Sequence, residues 1–505
     1  MNNVKKRNLG LFFSYGYFVL NTILSIFISA FIVRIVGKTD YGVYQSMTAF
    51  LSYLVLLEFG TGTLMTRNLS LLKRDGSDKE EVNKNVSTIW SLTVVLSIVI
   101  CLVAFVFWLF IGKIYSNSLS SDQIDLGKKL FIFAAGNTLL SFLTSTLYGI
   151  ALAYEKYLLE KIISISKLIL RTVLVIILLL RTSSVFLLVV IDFCLSLCAF
   201  AIVLTFCLFK LKSKLVFRYF DKGVFKSCIP LAFAMLLQTI VNTANGSIDK
   251  FCIGVMLTPE DVSIYSVSMI IFTMFSSIST LPVTMFMPTI ANNYKSGMRG
   301  KELTKSLIEP CRVNVLIMGV IMFGFLVVGK QFLALVYGEE YIESWIYAVI
   351  VIVPMFFNMT NVVIQCVIDL MDKRHIRSLI MMGTTIINIL FTIFGIKLFG
   401  MIAAPIATAI GLVGQTIILN IFYSKNLEMP QLYLFLESYK GIFLSFIIGA
   451  IIAFGLTFIV DGYLLQFLVG GFSFILISVA SILIFGLNKI EKIKIKLLIS
   501  KILHR

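Results

Sequence analysis

The chain has 505 residues, of which 59% are hydrophobic and 14% are charged, and its formal net charge is +17. A mean hydropathy of +0.98 excludes an ordinary soluble domain and indicates an all-α polytopic membrane protein. The basic residues fall mainly in predicted loops on one side of the membrane, so the charge reports topology and does not indicate a nucleic-acid partner.

Fourteen apolar runs are long enough to cross the bilayer, because roughly 20 apolar residues span about 30 Å of hydrocarbon. They cover residues 9–33, 41–66, 87–112, 129–153, 161–181, 184–209, 227–257, 262–290, 307–329, 344–370, 376–397, 400–423, 440–460 and 463–487. If the N-terminus is cytoplasmic, 32 of the 43 Lys and Arg residues lie in cytoplasmic segments, 8 lie outside and 3 lie within spans. The positive-inside rule therefore predicts that both termini are cytoplasmic. Pro282 and Pro288 predict a kink in the eighth span.

Short sequence echoes indicate that the first twelve spans are a duplication. Three pairs of segments match in the same order and at nearly constant separation, namely Asn21 with Asn242, Asp40–Tyr44 with Asp261–Tyr265, and Glu155–Lys156 with Asp372–Lys373. Because each copy holds an even number of spans, both copies insert the same way, which predicts pseudo-two-fold symmetry about the membrane normal.

The predicted organisation follows from this duplication. It comprises a first six-helix lobe over residues 1–211, a second six-helix lobe over 212–424, two additional spans over 425–487 and a cytoplasmic tail over 488–505. The tail alternates Lys with Ile and Leu, a pattern typical of a basic amphipathic segment on an anionic leaflet. No loop is long enough to fold as a separate domain, which argues against a polymerase or ligase with a large outer loop.

Span seven carries a polar stripe that a lipid-facing helix would not tolerate. Its members lie at spacings of four, three and four residues and so share one helix face. The stripe consists of Gln238, Asn242, Asn245 and Asp249, and Tyr17 and Asn21 lie on the repeat-related first span. We interpret these side chains as amide and hydroxyl groups that line a central cavity and suit sugars. The alternative is hydrogen bonding between helices.

Four motifs carry a resemblance to a known family. They are RIVGKTDYGVYQ after span one, SIDKFCIGVMLTPEDVSIYSVSM across spans seven and eight, VYGEEYIESW after span nine and FGMIAAPIATAIG at span twelve. Together with the pattern of six, six and two spans, they resemble the Wzx-type polysaccharide flippases. These flippases belong to the polysaccharide transporter family of the multidrug/oligosaccharidyl-lipid/polysaccharide exporter superfamily. The resemblance covers nearly the whole chain.

The resemblance implies a V-shaped pair of six-helix lobes that open alternately to either side of a bacterial inner membrane. Spans one, two, seven and eight would line the cavity. It also implies an undecaprenyl-diphosphate-linked oligosaccharide as the substrate, moved from the cytoplasmic to the outer leaflet. Membrane lipids, a polysaccharide polymerase and chain-length machinery are the partners that this role implies.

Two other functions compete with the flippase. A small-molecule or multidrug efflux antiporter of the same superfamily would bind organic cations through cavity acids. The intramembrane charges show no acidic excess, which favours the flippase. A non-transporting membrane scaffold would have no need of a polar stripe inside a duplicated core.

Span five contributes two candidate cations for the substrate diphosphate. Ser164, Lys167 and Arg171 share one helix face, and Arg171 lies near mid-membrane. Asp192 lies about as far after the turn between spans five and six as Arg171 lies before it, so an Arg171–Asp192 ion pair competes with substrate contact. Lys167 has no such evident partner and is the better cavity cation.

Three further charged residues have alternatives of their own. Arg34 and Lys250 lie near the outer ends of spans one and seven, where a diphosphate would arrive or leave. The alternatives are snorkelling to head groups and, for Lys250, pairing with Asp249. Glu58 lies within span two and is the candidate for ion coupling, against a purely structural carboxylate bonded to a nearby hydroxyl.

No enzyme chemistry, cofactor or metal site is predicted. The histidines are His375 in a cytoplasmic turn and His504 in the tail, so an intramembrane histidine catalyst has no candidate. The eight cysteines show no metal-ligand spacing.

The predicted topology can be checked by labelling single cysteines in intact cells with a membrane-impermeant reagent. Cysteines placed at Ser120 and Gly338 should react from outside, whereas those at Lys79 and Lys301 should react only after the membrane is opened. Labelling of Lys301→Cys from outside would refute the orientation.

Overall fold

The computed structural model describes residues 3–74, 76, 78–215, 220–371, 373–488 and 491–493, and these residues form helices and turns without a strand. The helices are α1 Asn3–Val36, α2 Lys38–Leu54, α3 Thr61–Arg74, α4 Lys79–Ile114, α5 Ser121–Ala153, α6 Tyr157–Thr182, α7 Phe186–Thr205, α8 Lys222–Met256, α9 Pro259–Ser279, α10 Leu281–Lys295, α11 Gly300–Val336, α12 Ser344–Phe357, α13 Met359–Leu370, α14 Arg374–Phe399, α15 Ala403–Asn426, α16 Gln431–Tyr439, α17 Ile442–Thr457 and α18 Tyr463–Ser481.

The predicted all-α membrane class is confirmed. Within the described ranges, nine helical segments are long and apolar enough to cross a membrane, and the number rises to eleven if each of two bent pairs forms one span. The bends are 52° between α12 and α13 and 43° between α16 and α17. The number of fourteen spans stays a prediction. Of the predicted tail, only Asn488 and residues 491–493 lie within the described ranges.

Helix boundaries in the two halves repeat at the separations found in the sequence. The junction between α3 and α4, from Arg74 to Lys79, recurs as the junction between α10 and α11, from Lys295 to Gly300, at the separation that relates Asp40 to Asp261. Helices α6 and α14 have equal lengths, and both pairs of ends keep the separation that relates Glu155–Lys156 to Asp372–Lys373. These regularities support the inferred duplication, because unrelated helices would not share lengths and loop positions in order.

The repeat-related spans two and eight are both interrupted at equivalent places. Between α2 and α3 the backbone turns through Phe59 and Gly60, which both have positive φ values, 49° and 64°. The break between α9 and α10 falls at Thr280, the position that the duplication aligns with Phe59. Span eight is therefore interrupted beside Pro282, which lies in the first turn of α10, where its missing N–H costs no helical hydrogen bond. The predicted kink itself stays a prediction.

Contacts divide the chain into two units, Met1–Ser266 and Val267–Arg505. The first unit is built around α5, which packs against α3, α4 and α7. A close crossing of α5 and α3 depends on glycine, since a Cβ on Gly149 would collide with the carbonyl oxygen of Gly62. Beside it, the Thr146 hydroxyl lies 2.8 Å from that of Thr61 and 3.2 Å from that of Thr93. Helix α8 packs on α2 in this unit, and the domain boundary at residues 211/212 stays a prediction.

The second unit is built around α11, whose Arg312 fastens several distant segments together. This side chain is only 3% exposed, and all five of its N–H groups are used. Nε and Nη2 bind the Glu491 carboxylate at 2.7 and 3.0 Å, Nη2 also binds Gly486 O at 2.6 Å, and Nη1 binds Glu437 O and Lys440 O at 2.9 and 3.1 Å. Arg312 thereby ties α11 to the α16–α17 bend and to the chain that follows α18.

Replacing Arg312 should therefore destabilise the protein strongly. Both Arg312→Gln and Arg312→Lys leave buried carbonyls or the Glu491 carboxylate without donors, at a cost of about 3–5 kcal/mol. We expect both variants to show much lower abundance in membranes, measured by quantitative immunoblotting of cells grown at two temperatures.

Lys440→Gln is the matched control. Lys440 belongs to the same bend but forms only an exposed ion pair with Glu437, at 3.6 Å, and such pairs contribute little. If Arg312→Lys accumulates as well as Lys440→Gln, the five-bond contact is not a determinant of stability.

Candidate substrate-binding cavity

A cavity of about 440 Å³ lies inside the first unit among α1, α5, α6 and α7. Its volume is within the range of small-ligand pockets, about 300–1,000 Å³. Hydroxyl groups dominate its lining, and seven of the fourteen lining residues carry one, namely Ser25, Ser141, Thr144, Ser145, Tyr148, Ser164 and Ser196. The remaining polar residues that line it are Asn21, Lys167 and Arg171. Such a lining offers donors and acceptors to a polar ligand.

Helix α5 supplies four of these hydroxyls from one face. Ser141, Thr144, Ser145 and Tyr148 recur every three or four residues, so they point the same way along the helix. The sequence analysis missed this stripe, although the spacing rule that selected span seven applies equally to it. Hydroxyls give a weaker signal than amides, because a helical Ser or Thr can bond its own backbone, as Thr144 does to Leu140 O at 2.6 Å.

Lys167 projects from α6 into the cavity and is held by a neutral partner. Its ammonium nitrogen lies 2.6 Å from Ser196 Oγ on α7, and the Ser196 hydroxyl donates in turn to Asn137 Oδ1 on α5. The predicted common face of Ser164, Lys167 and Arg171 is confirmed, because all three line this cavity. The Ser196 hydroxyl orients the Lys167 ammonium without neutralising its charge.

Arg171 forms the predicted ion pair with Asp192 of α7. The contact is bidentate, with Nε 2.5 Å from Oδ1 and Nη2 3.1 Å from Oδ2. The two side chains remain 26% and 17% exposed, since Arg171 borders the main cavity and Asp192 borders a smaller one of about 200 Å³ with Tyr44 and Asn137. The net charge beside the main cavity is one positive charge, because Asp192 balances only one of the two cations Lys167 and Arg171.

The stripe predicted on span seven lies mostly beyond what the structure describes. Asn21 lines the cavity of the first unit. The side chains of Tyr17, Gln238, Asn242 and Asn245 lie outside the described residues, so their predicted roles stay predictions.

Asp249, the last member of the stripe, is packed between helices and lines neither cavity. It is 1% exposed, and its Oδ2 accepts a hydrogen bond of 2.7 Å from the Tyr265 hydroxyl of α9. This contact corresponds to the alternative of hydrogen bonding between helices. Lys250 is half-buried and Arg34 is exposed, and neither lines the cavity described here. Their predicted contact with a diphosphate stays a prediction.

Glu58 lies at the interruption of span two. It is the last residue of a short 3₁₀ turn over Val55–Glu58, directly before the left-handed Phe59. The side chain is half-buried. Its predicted role in ion coupling stays a prediction.

Sequence comparison identifies the family. Residues 31–346 match the family model described as polysaccharide biosynthesis protein, which is more than half of the chain. The chain belongs to the polysaccharide biosynthesis protein family. No curated protein matches the chain in sequence.

Solved structures show which proteins share the fold of this family member. The lipid II flippase MurJ in an inward closed conformation aligns over 94% of this chain and 99% of its own, with 15% identity and a TM-score of 0.68. A multidrug resistance MATE family transporter of the MOP superfamily, inward-facing, aligns over 82% and 94%, with 12% identity and a TM-score of 0.62. A MOP superfamily transporter from Pyrococcus furiosus aligns over 86% and 96%, with 12% identity and a TM-score of 0.50. The resemblance drawn from the motifs is confirmed for family and fold.

The Arg171–Asp192 contact predicts non-additive effects on stability. Arg171→Gln or Asp192→Asn alone leaves the other side chain without its bidentate partner near mid-membrane, at a cost of roughly 3 kcal/mol. The double variant removes both charges and should recover much of the lost abundance. Detergent-resistant folded protein can be measured by fluorescence-detected size exclusion.

Lys84→Gln serves as the control for this cycle, because Lys84 forms an exposed ion pair with Glu80 at 3.0 Å on the solvated end of α4. Additive losses in the Arg171 and Asp192 double variant would show that the two side chains do not stabilise the protein as a pair.

Proposed function

We propose that the protein is a flippase that moves an undecaprenyl-diphosphate-linked oligosaccharide from the cytoplasmic to the outer leaflet of a bacterial inner membrane by alternating access. The cavity of the first unit binds part of the head group, and the lipid tail stays in the bilayer. The observation that carries the proposal is the uncompensated Lys167 ammonium in a cavity lined by hydroxyls. The family and the transporter fold support it.

The lining suits a sugar that carries an anionic group. Sugar hydroxyls both donate and accept hydrogen bonds, as do the Ser, Thr and Tyr side chains that face them. A phosphate oxygen near Lys167 would form a charge-assisted bond, which is stronger than a bond between neutral groups. Because such groups are costly to move through hydrocarbon, a polar route is what the translocation needs.

The charge of the site disfavours efflux of organic cations. Asp192 is neutralised by Arg171 at 2.5 Å, and the other cationic side chain at this cavity is Lys167. A cationic drug would therefore meet a repulsive site. The proposed role involves no enzyme chemistry. Both termini lie in the cytoplasm in this proposal. A polymerase and chain-length machinery act on the translocated product.

Lys167→Gln should abolish most export without loss of protein. Glutamine keeps a polar side chain of similar shape but removes the charge that attracts the phosphate, so we expect surface polysaccharide per molecule of flippase to fall at least about tenfold. Lys167→Arg, which retains the charge, should keep more export than Lys167→Gln. Surface polysaccharide is measured by immunoblotting and normalised to the amount of flippase in the membrane.

Lys161→Gln is the matched control on the same helix. Lys161 pairs with the adjacent Glu160 at 3.1 Å and is not among the residues that line the cavity, so its loss should leave export normal. Normal export by Lys167→Gln would remove the cavity from the proposed route.

A further inference from the structure

The second unit contains a helix break with unsatisfied buried oxygen atoms. Helices α12 and α13 meet at Asn358 with a bend of 52°. The backbone N–H of Asn358 donates to Met355 O at 3.0 Å. Because this bond joins residues three apart, α12 ends in a tighter turn than the rest of the helix. Phe356 O accepts a 2.5 Å bond from the Tyr439 hydroxyl. A side chain thus satisfies a carbonyl beside the break, as expected where helical bonding is interrupted.

Two asparagine amides are anchored on this break from different helices. Asn314 of α11 donates from Nδ2 to Met359 O at 3.4 Å, and Asn361 of α13 donates from Nδ2 to Asn358 Oδ1 at 2.9 Å. Exposure is 0% for Asn314, 3% for Asn358 and 1% for Asn361. Among the described residues, the amide oxygens of Asn314 and Asn361 have no hydrogen-bond partner. The Asn314 amide bonds Met359 and the Asn361 amide bonds Asn358, and both of these residues form the break. The unpartnered oxygen of each amide therefore lies beside the break.

Buried acceptors without donors point to a ligand that is electron-poor. Leaving such an oxygen unsatisfied costs about 1–3 kcal/mol, so each one requires a donor, a bound water or an ion. The C-terminus of α12 and the N-terminus of α13 meet at Asn358, so their dipoles oppose each other there and the free oxygens are what attracts a cation. Broken membrane helices coordinate monovalent cations through this combination of helix ends and oxygen atoms.

The oxygen atoms that would hold the ion are neutral, so the site favours an ion of low charge. The ion-paired Asp369 on α13 is engaged by Arg377 at 3.8 Å. A divalent ion held only by amide and carbonyl oxygens would carry an uncompensated charge of two into a buried site, where the cost of burial rises steeply with charge. A monovalent ion such as sodium is compatible with three neutral side-chain amides.

The break is not a requirement of the duplicated fold. At separations of 217 to 221, the duplication aligns Asn358 at the α12–α13 junction with residues 137–141, and the repeat-related α5 runs unbroken through them. It likewise aligns Thr93 of α4 with Asn314, and the Thr93 hydroxyl is satisfied by Ile89 O at 2.9 Å. The bend and the asparagine pair at these equivalent positions are therefore features of the second unit alone.

We propose that the break between α12 and α13 binds a monovalent cation through Asn314, Asn358 and Asn361. The cation would satisfy the two free amide oxygens and hold α11, α12 and α13 in one arrangement. It supplies a candidate site for ion coupling that is separate from Glu58. The binding itself does not rest on the proposed flippase function.

The test is the thermal unfolding of the purified full-length protein, followed by intrinsic fluorescence in sodium chloride, potassium chloride or choline chloride at equal ionic strength. Because a ligand that binds the folded state stabilises it by mass action, we expect the unfolding temperature to rise and saturate with sodium or potassium but not with choline. Absence of any difference from choline in the wild-type protein would overturn the proposal and leave the oxygens to bound water.

Variants then locate the effect. Asn314→Leu and Asn361→Leu should raise the sodium concentration that gives half of the shift about tenfold or more. Asn361→Asp adds a negative charge, so its shift should saturate at lower sodium. Asn388→Leu is the control, since Asn388 is equally buried but bonds Thr408 at 3.3 Å and Thr392 at 3.2 Å. It should lower the baseline unfolding temperature and keep the sodium shift. An unchanged shift in both Leu variants at the break, or no gain in Asn361→Asp, would contradict the site.

Discussion

The Arg171–Asp192 ion pair is the interaction on which the character of the first cavity depends. Arg171 lies close to the middle of α6, roughly 20 Å along the helix from either end. At that depth a lone guanidinium would be costly, and its bidentate contact with Asp192 compensates it. The pair also sets the charge of the cavity, because it leaves Lys167 as a cation held only by a hydroxyl. The same contact ties α6 to α7, and the Lys167–Ser196 bond joins the same two helices.

The two halves of the chain have matching helix boundaries and different interiors. In the first unit, small and hydroxyl-bearing residues on α5 open a polar cavity on one face and allow close packing at Gly149 on another. The equivalent span of the second unit bends at Asn358 and encloses buried asparagines. A shared helical frame can therefore carry an open polar cavity in one half and a buried polar site in the other, since the side chains on the facing surfaces decide what each interior holds.

Charged residues in apolar runs were the informative part of the sequence. Arg171 and Asp192 could be placed together because they lie at similar distances from a short turn. Lys167 could be added because it shares a helix face with Arg171. Asp249 could not be oriented the same way, since its direction depends on Tyr265 of the next helix. Ser196 and the α5 hydroxyls were missed because hydroxyls can be satisfied by their own helix and so give little sequence signal. Arg312 resembles a loop cation in sequence, and its partner Glu491 is 179 residues away.

The central claim, that the cavity of the first unit holds the head group of a lipid-linked sugar, can be tested by site-specific photocrosslinking in living membranes. A photoreactive amino acid is placed at Tyr148, which lines the cavity, or at Ile162, which points outward from α6 and is 53% exposed. The cells are labelled with a radioactive sugar precursor. The account predicts a light-dependent crosslink to labelled lipid-linked sugar at Tyr148 and none at Ile162. Crosslinking at Ile162 alone, or equal crosslinking at both positions, would contradict it.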